Sequence, residues 1–248
     1  MKRSETIGLV VIGYALLCFF IFSFSGIASA EESHKILLEK PIQSPIKPIE
    51  PQQTTFDKNK KLSEREIQER FSEIDASYDL HEPFSPEDAE FIRAYATIPI
   101  TSSTPSYMES LDSPDESFTF TGSNSKSFDR YKSSNGVSLN FYGRIYSDIN
   151  IFTHSYRGNV KSKIYRGSSK VREIKNVITN TAYGLVGSSG TYVGIVYKGS
   201  IVSSSNDART SWSTDETRKY GAVGVLYTHT NAYSKITTTT GTFTLYAF

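Results

Sequence analysis

Residues Thr191–Val202 read Thr-Tyr-Val-Gly-Ile-Val-Tyr-Lys-Gly-Ser-Ile-Val. On an extended chain Val193, Ile195 and Tyr197 are expected on one side, and Tyr192, Gly194, Val196 and Lys198 on the other. A period of two in β-branched and aromatic residues marks a strand. Just upstream, Ala182–Val186 is a second short apolar run, and Gly187-Ser188-Ser189-Gly190 separates the two. Glycine adopts positive φ at no steric cost, so this spacing predicts a hairpin turn.

The same style extends through the C-terminal half. Strands are expected at Phe118–Thr121, Val137–Ser147, Asn150–Ser155, Val160–Arg166, Val171–Val177, Ala182–Val186, Thr191–Val202, Ala222–Thr228, Ala232–Thr237 and Thr242–Ala247. In Val137–Ser147, Val137, Leu139, Phe141 and Ile145 share a face, while Tyr142, Arg144 and Tyr146 share the other. One dry and one wet face is the habit of antiparallel sheets. Val171, Ile174 and Ile178 also fit a helical period, so a helix is the alternative for Val171–Val177. The fold class is mainly β: an antiparallel sandwich or barrel over residues 117–248, preceded by a signal peptide, a Pro-rich linker and two short helices.

The net charge of +1 hides an asymmetry. Residues 31–117 hold 19 acids and 9 bases, whereas residues 118–248 hold 6 acids and 16 bases. Opposite signs imply mutual attraction, or an anionic partner for the basic half. The simpler reading is an acidic solvated linker beside a mildly basic domain. The single cysteine, Cys18, lies in the first apolar run, so the rest of the chain forms no internal disulfide.

At the N-terminus Lys2 and Arg3 precede the apolar run Ile7–Phe24, and Ala28-Ser29-Ala30 precedes Glu31. This is a secretory signal pattern over residues 1–30, with cleavage expected after Ala30. The run is also just long enough to span a bilayer, so an uncleaved anchor is the alternative. Both readings place the bulk of the protein outside the cytoplasmic membrane. Residues 31–61 contain Pro41, Pro45, Pro48 and Pro51, the spacing of an extended spacer.

Two helices are expected within residues 62–97. Ser63-Glu64-Arg65-Glu66 forms a capping box, Leu62 and Ile67 a hydrophobic staple, and Ile67, Phe71 and Ile74 one apolar stripe. The second helix has Ser85 as N-cap, Pro86 at its first position and acids in its first turn. Ile98 ends it, because the residue before Pro99 avoids helical backbone. Each helix is about three turns, too short to stand alone in water. Their stripes must bury against each other, the β domain or a partner. Residues 98–116 have the composition of a flexible connector.

The expected wet face is rich in tyrosine: Tyr142, Tyr146, Tyr156, Tyr165, Tyr192, Tyr220, Tyr227 and Tyr233. Exposed tyrosines suit carbohydrate or polymer surfaces, although tyrosine also simply favours strands. Arg157, Lys161, Lys163, Arg166, Lys170, Arg172 and Lys175 crowd one stretch, and Lys161, Lys163 and Tyr165 alternate. Such a stripe suits a polyanion. Outside the cell a wall polymer or lipid headgroup fits better than nucleic acid. The competing reading is a solvated edge strand protected by lysines.

No dedicated chemistry is legible. The histidines His34, His81, His154 and His229 show no metal-ligand spacing. Gly187-Ser188-Ser189-Gly190 is not a nucleophile elbow, and no cofactor motif occurs. Asp207, Asp215 and Glu216 flank Trp212 in an expected polar loop, Ser203–Lys219. Paired carboxylates serve glycosidases, but a surface loop with one anchored indole is the simpler reading. The expected binding residues are Arg157, Lys161, Lys163, Tyr165, Arg166, Lys170, Arg172 and Trp212. Two functions follow. One is a non-enzymatic, exported binding domain for an anionic polymer, a carbohydrate or lipid headgroups of the cell envelope. The other is a secreted toxin-like effector whose acidic pro-region masks a basic β domain; membrane contact then comes through that mode or through the uncleaved signal.

Overall fold

Among the described residues eight strands pair into two four-stranded antiparallel sheets, and two α-helices lie on the outside of one of them. The computed structural model describes residues 47–98, 122–188, 190–207 and 210–248. The expected signal segment, the start of the Pro-rich stretch, the connector and the strand at Phe118–Thr121 lie outside the described residues. The strands are β1 (Gly122–Ser134), β2 (Val137–Ile149), β3 (Thr153–Arg166), β4 (Val171–Val186), β5 (Tyr192–Ser205), β6 (Ser211–Gly221), β7 (Val225–Thr238) and β8 (Gly241–Tyr246). Sheet I has the order β1-β2-β3-β6, and sheet II the order β5-β4-β7-β8.

Apolar residues of both sheets meet in a shared core. Phe141, Ile145, Tyr156 and Val160 of sheet I pack with Ile178, Ala182, Val196 and Ala232 of sheet II. A second apolar cluster holds Leu139, Ile164, Ile174 and Ile236. Between the sheets lies a hydrogen-bonded polar group. The Ser162 hydroxyl reaches Asn176 (2.6 Å) and Ser234 (2.7 Å), and Asn176 donates to the Trp212 carbonyl (3.2 Å). Such pairing offsets the cost of removing these polar groups from water.

Backbone pairing does not run from one sheet into the other among the described residues. Side chains bridge the edges instead. Arg130 and Lys132 of β1 donate to the carbonyls of Ala247 and Thr244, and Arg218 of β6 donates to that of Ser200 on β5. Capping edge carbonyls with cations leaves less template for another strand to add.

Several expected strands merge, because turns between them were read into extended chain. β4 runs unbroken through Val171–Val177 and Ala182–Val186, which removes the helical alternative. It is buried on both faces at its centre, so its pattern is not a clean alternation. The Gly187–Gly190 turn closes the β4–β5 hairpin, with Val186 opposite Tyr192 and positive φ at both glycines. A bulge at Val196 corrects the facing of β5. Ala182 pairs with Tyr197, but Tyr183 pairs with Ile195. Val193 and Ile195 therefore face the helices, while Val196 and Tyr197 both turn to the core. An extra residue in one strand shifts every later side chain to the other face.

Helices α1 (Glu64–Ser77) and α2 (Pro86–Tyr95) start at the expected caps. Ser63 Oγ accepts from the Glu66 amide, and Glu66 accepts from the Ser63 amide at 2.8 Å. Phe71, Ile74, Phe91 and Ile92 bury against Tyr183, Val193, Ile195, Leu226 and Tyr227 on the outer face of sheet II. Residues 47–61 dock on α2. Burial works against the charge of Glu90, but hydrogen bonds from Thr55, Phe56 and Asn59 hold its carboxyl below the ordinary range.

The N-terminal segment also grips both free edges of sheet II. The amides of His81 and Phe84 donate to Ile195 and Val193 of β5 (2.8 and 2.9 Å). Thr97 and Thr228 exchange two backbone hydrogen bonds (2.8 and 2.9 Å) beyond the reach of the short β8. Asp75 accepts from Thr181 (2.7 Å) and Tyr183 (3.0 Å), and Lys198 donates to the Asp75 and Tyr78 carbonyls. Among the described residues no helix is long and apolar enough to cross a membrane.

Candidate binding face

The outer face of sheet I is built by alternation along β3. Tyr156, Val160, Ser162 and Ile164 point inward and are buried, so Arg157, Asn159, Lys161, Lys163 and Tyr165 point outward. Register supplies their neighbours. Lys161 lies between Tyr142 of β2 and Ser213 of β6, and Arg157 between Tyr146 and Thr217. Tyr131 of β1 joins the face at 67% exposure.

Cations and aromatics are interleaved. The Arg157 guanidinium stands 4.2 Å from the centre of the Tyr146 ring, and the Lys163 ammonium 4.7 Å from that of Tyr165. Such contacts fix long side chains without neutralising them. The acids of the face are held by neutral donors: Asp129 by Asn140, Asp148 by Ser155 (3.2 Å) and Asp215 by Asn159 (3.0 Å). Among the described residues Arg157, Lys161 and Lys163 form no ion pair. The nearby charge of Asp129 raises the Tyr131 hydroxyl above its ordinary range, keeping it a donor. The face therefore offers fixed aromatic planes and unneutralised cations over a broad, open sheet.

Half of the expected binding residues converge here. Arg157, Lys161, Lys163 and Tyr165 share the face. Arg166 ends β3, Lys170 lies in a 3-10 turn (Ser168–Lys170), and Arg172 begins β4. These three mark the end of the fold where the chain passes between sheets. Trp212 is on β6 but points inward, packing beside Leu139 and Ile164 with Nε1 donating to Ser203 (3.1 Å). Its expected loop, Ser203–Lys219, is corrected: β5 runs to Ser205 and β6 begins at Ser211. β6 is an edge strand, so its outward residues are all polar and its pattern resembles a loop.

The tyrosine assignment needs a second correction. Tyr156, Tyr220 and Tyr227 are buried rather than on a wet face. Tyr156 and Tyr220 pack together with Tyr197, whose ring stacks on Tyr220 at 3.9 Å. Tyr156 and Tyr220 lie among apolar side chains of the shared core, where the ring supplies most of the contact. Tyr142, Tyr146 and Tyr165 do line sheet I, and Tyr192 is exposed at the start of β5. Tyr131 and Asn159 were missed as binding residues. The alternation of Phe128, Asp129, Arg130 and Tyr131 was the available signal for Tyr131.

His154 is buried. Its Nδ1 accepts from the Asn150 amide (3.3 Å) and its Nε2–H donates to the Ala222 carbonyl (2.8 Å). It ties two turns together. Among the described residues no three His, Cys, Asp or Glu side chains group to hold a metal ion. No protein-family model matches the chain, and no curated protein matches it.

Proposed function

We propose that this chain is an exported binding protein whose sheet I outer face holds an anionic polymer of the cell envelope. The protein would leave the cytoplasm through residues 1–30 and work there by adhesion, as a two-sheet sandwich, rather than by catalysis. One observation carries the reading: Arg157, Lys161 and Lys163 lie on one face, interleaved with Tyr146 and Tyr165, and form no ion pair among the described residues. A flat face of this kind fits an extended chain better than a small molecule, and aromatic planes add contact with sugar rings. The test is retention on purified cell wall across a salt series. Binding that weakens with salt, and weakens about tenfold in the Arg157→Ala/Lys161→Ala double variant, supports the proposal. Salt-indifferent binding, or binding unchanged in that variant, overturns it.

A second reading rests on the N-terminal segment. Residues 47–98 cover the aromatic outer face of sheet II and pair with both its open edges. That is the arrangement of a pro-segment masking a membrane-active β domain. Among the described residues six strands of 13–16 residues have the length to cross a bilayer. Dye leakage from liposomes only after removal of residues 31–117 would favour this reading, and no leakage would remove it.

A further inference from the structure

We infer that the pole formed by the β2–β3 and β6–β7 turns docks on an anionic phospholipid bilayer. The site lies at the Asp148–Ser155–Lys219 end of the sheet I face, beyond Arg157, and its apolar tips give it a readout separate from polymer binding. The β2–β3 turn presents Ile151 and Phe152, and the β6–β7 turn presents Val223. They are 46%, 75% and 80% exposed, and Phe152 and Val223 are the two most exposed large apolar side chains among the described residues. The turns are neighbours. Thr153 pairs with Gly221, and His154 bonds to both Asn150 and Ala222. The apolar tips are thus held side by side on the ends of rigid strands.

The chemistry around them selects the occupant. Neither Asn150–Phe152 nor Ala222–Gly224 contains a charged residue. Beside the β2–β3 tip is an open recess of about 450 Å³, lined by Asn150, Ile151 and Phe152 of the turn and by Thr153, His154, Ser155 and Lys219. Lys219 enters no ion pair among the described residues, while Asp148, across β3 in register with Ser155, accepts from that serine's hydroxyl. Apolar tips beside a recess bordered by the Lys219 ammonium match the layering of a bilayer surface, with acyl chains beyond and phosphate headgroups level with the ammonium. Three side chains on two narrow turns fall well short of the roughly 800 Å² per partner that a stable dimer buries. A membrane needs no such area.

The test uses the full chain and brominated-lipid vesicles of phosphatidylglycerol and phosphatidylcholine. Trp212 is the only tryptophan and packs inside the opposite end of β6, so the unaltered protein is the unquenched reference. In F152W the added indole is expected to be quenched by bromine on the acyl chains, whereas emission of the unaltered protein is not. Adding Val223→Ser to F152W should weaken the apparent vesicle affinity about tenfold. Adding Lys219→Gln should abolish the preference for phosphatidylglycerol, and adding Tyr131→Ala on the polymer face should change nothing. Unquenched F152W emission in the presence of vesicles overturns the inference, even if the protein sediments with them through its N-terminal run. So does a Phe152→Ser variant whose only difference is loss of a concentration-dependent dimer.

Discussion

Phe71 lies flat against His229, with ring centroids 3.8 Å apart and planes 7° from parallel. The contact joins α1 to β7, and the imidazole Nε2–H donates to Gln68 one turn earlier on the same helix (3.0 Å). Burial, helped by the Lys126 charge, pushes His229 down to about 3. Charging the imidazole therefore weakens the docking of α1.

That relationship sets an acid limit on stability. In the unfolded chain His229 takes a proton near its ordinary value of about 6.5, but in the folded chain only near 3. Stability from this residue is complete above about pH 6.5 and falls as pH drops toward 3, by about 1 kcal/mol per pH unit. Asp75 acts in the opposite direction. Burial raises its carboxyl, so its contribution falls as pH rises through a window just above the usual carboxylate range. Thermal midpoints measured between pH 8 and pH 4 should decline below pH 6.5. In His229→Phe, which keeps the stack on Phe71, the decline should flatten. An identical slope in both proteins would contradict this account.

Asp75 should prove the polar anchor of the helical segment. Its two oxygens accept from Thr181 and Tyr183, two hydroxyls on the covered face of β4. Replacing it with alanine leaves both without an acceptor, at about 2 kcal/mol. Asp75→Asn keeps one acceptor and should cost about half. Amide exchange in α1 should quicken in both variants while β2 and β3 stay protected, since the loss is local to sheet II.

Tyr146 should matter to binding more than to folding. It is half-buried on the sheet I face, and its principal partner is the Arg157 guanidinium above its ring. Tyr146→Ala should cost under about 1 kcal/mol in stability and weaken retention on cell wall several-fold, because Arg157 loses its fixed position. Tyr146→Phe, which keeps the ring, should bind as the unaltered protein does.

Strand chemistry made much of this fold legible before any coordinates. The caps at Ser63 and Ser85 are local hydrogen-bond geometry, and both helices begin where those residues require. The Gly187–Gly190 turn is equally local. The failures share one physical cause: facing in a sheet depends on register, and register is not local. One extra residue at Val196 moved Tyr197 from the helix side of sheet II to the core. β6 escaped notice because an edge strand needs few apolar residues, and only Trp212, Thr214 and Tyr220 face in with much contact. The cation stripe of β3 was readable because Lys161, Lys163 and Tyr165 alternate on one strand. Its neighbours Tyr131 and Tyr146 come from long-range pairing, which no single stretch of sequence reveals.

Gly143 offers the most direct test of how tightly β2 and β3 are matched. Its φ is +149°, and a side chain there would overlap the Asn159 carbonyl oxygen and lie 2.7 Å from the Val160 Cα. Both obstacles are backbone, so neither can swing aside, and the strands must separate. Gly143→Ala should cost about 3 kcal/mol or more. Gly190 is the control. Its φ is +60°, but nothing lies within 4 Å of an added Cβ, so Gly190→Ala should cost only about 1 kcal/mol. The two variants also separate stability from function. Asn159 and Val160 sit between Arg157 and Lys161, so prying β2 from β3 should displace the cation row and weaken polymer binding even in the folded fraction. Gly190→Ala, at the far hairpin of sheet II, should leave that binding intact. Equal melting midpoints for the two variants would show that the β2–β3 contact is looser than the Gly143 geometry requires.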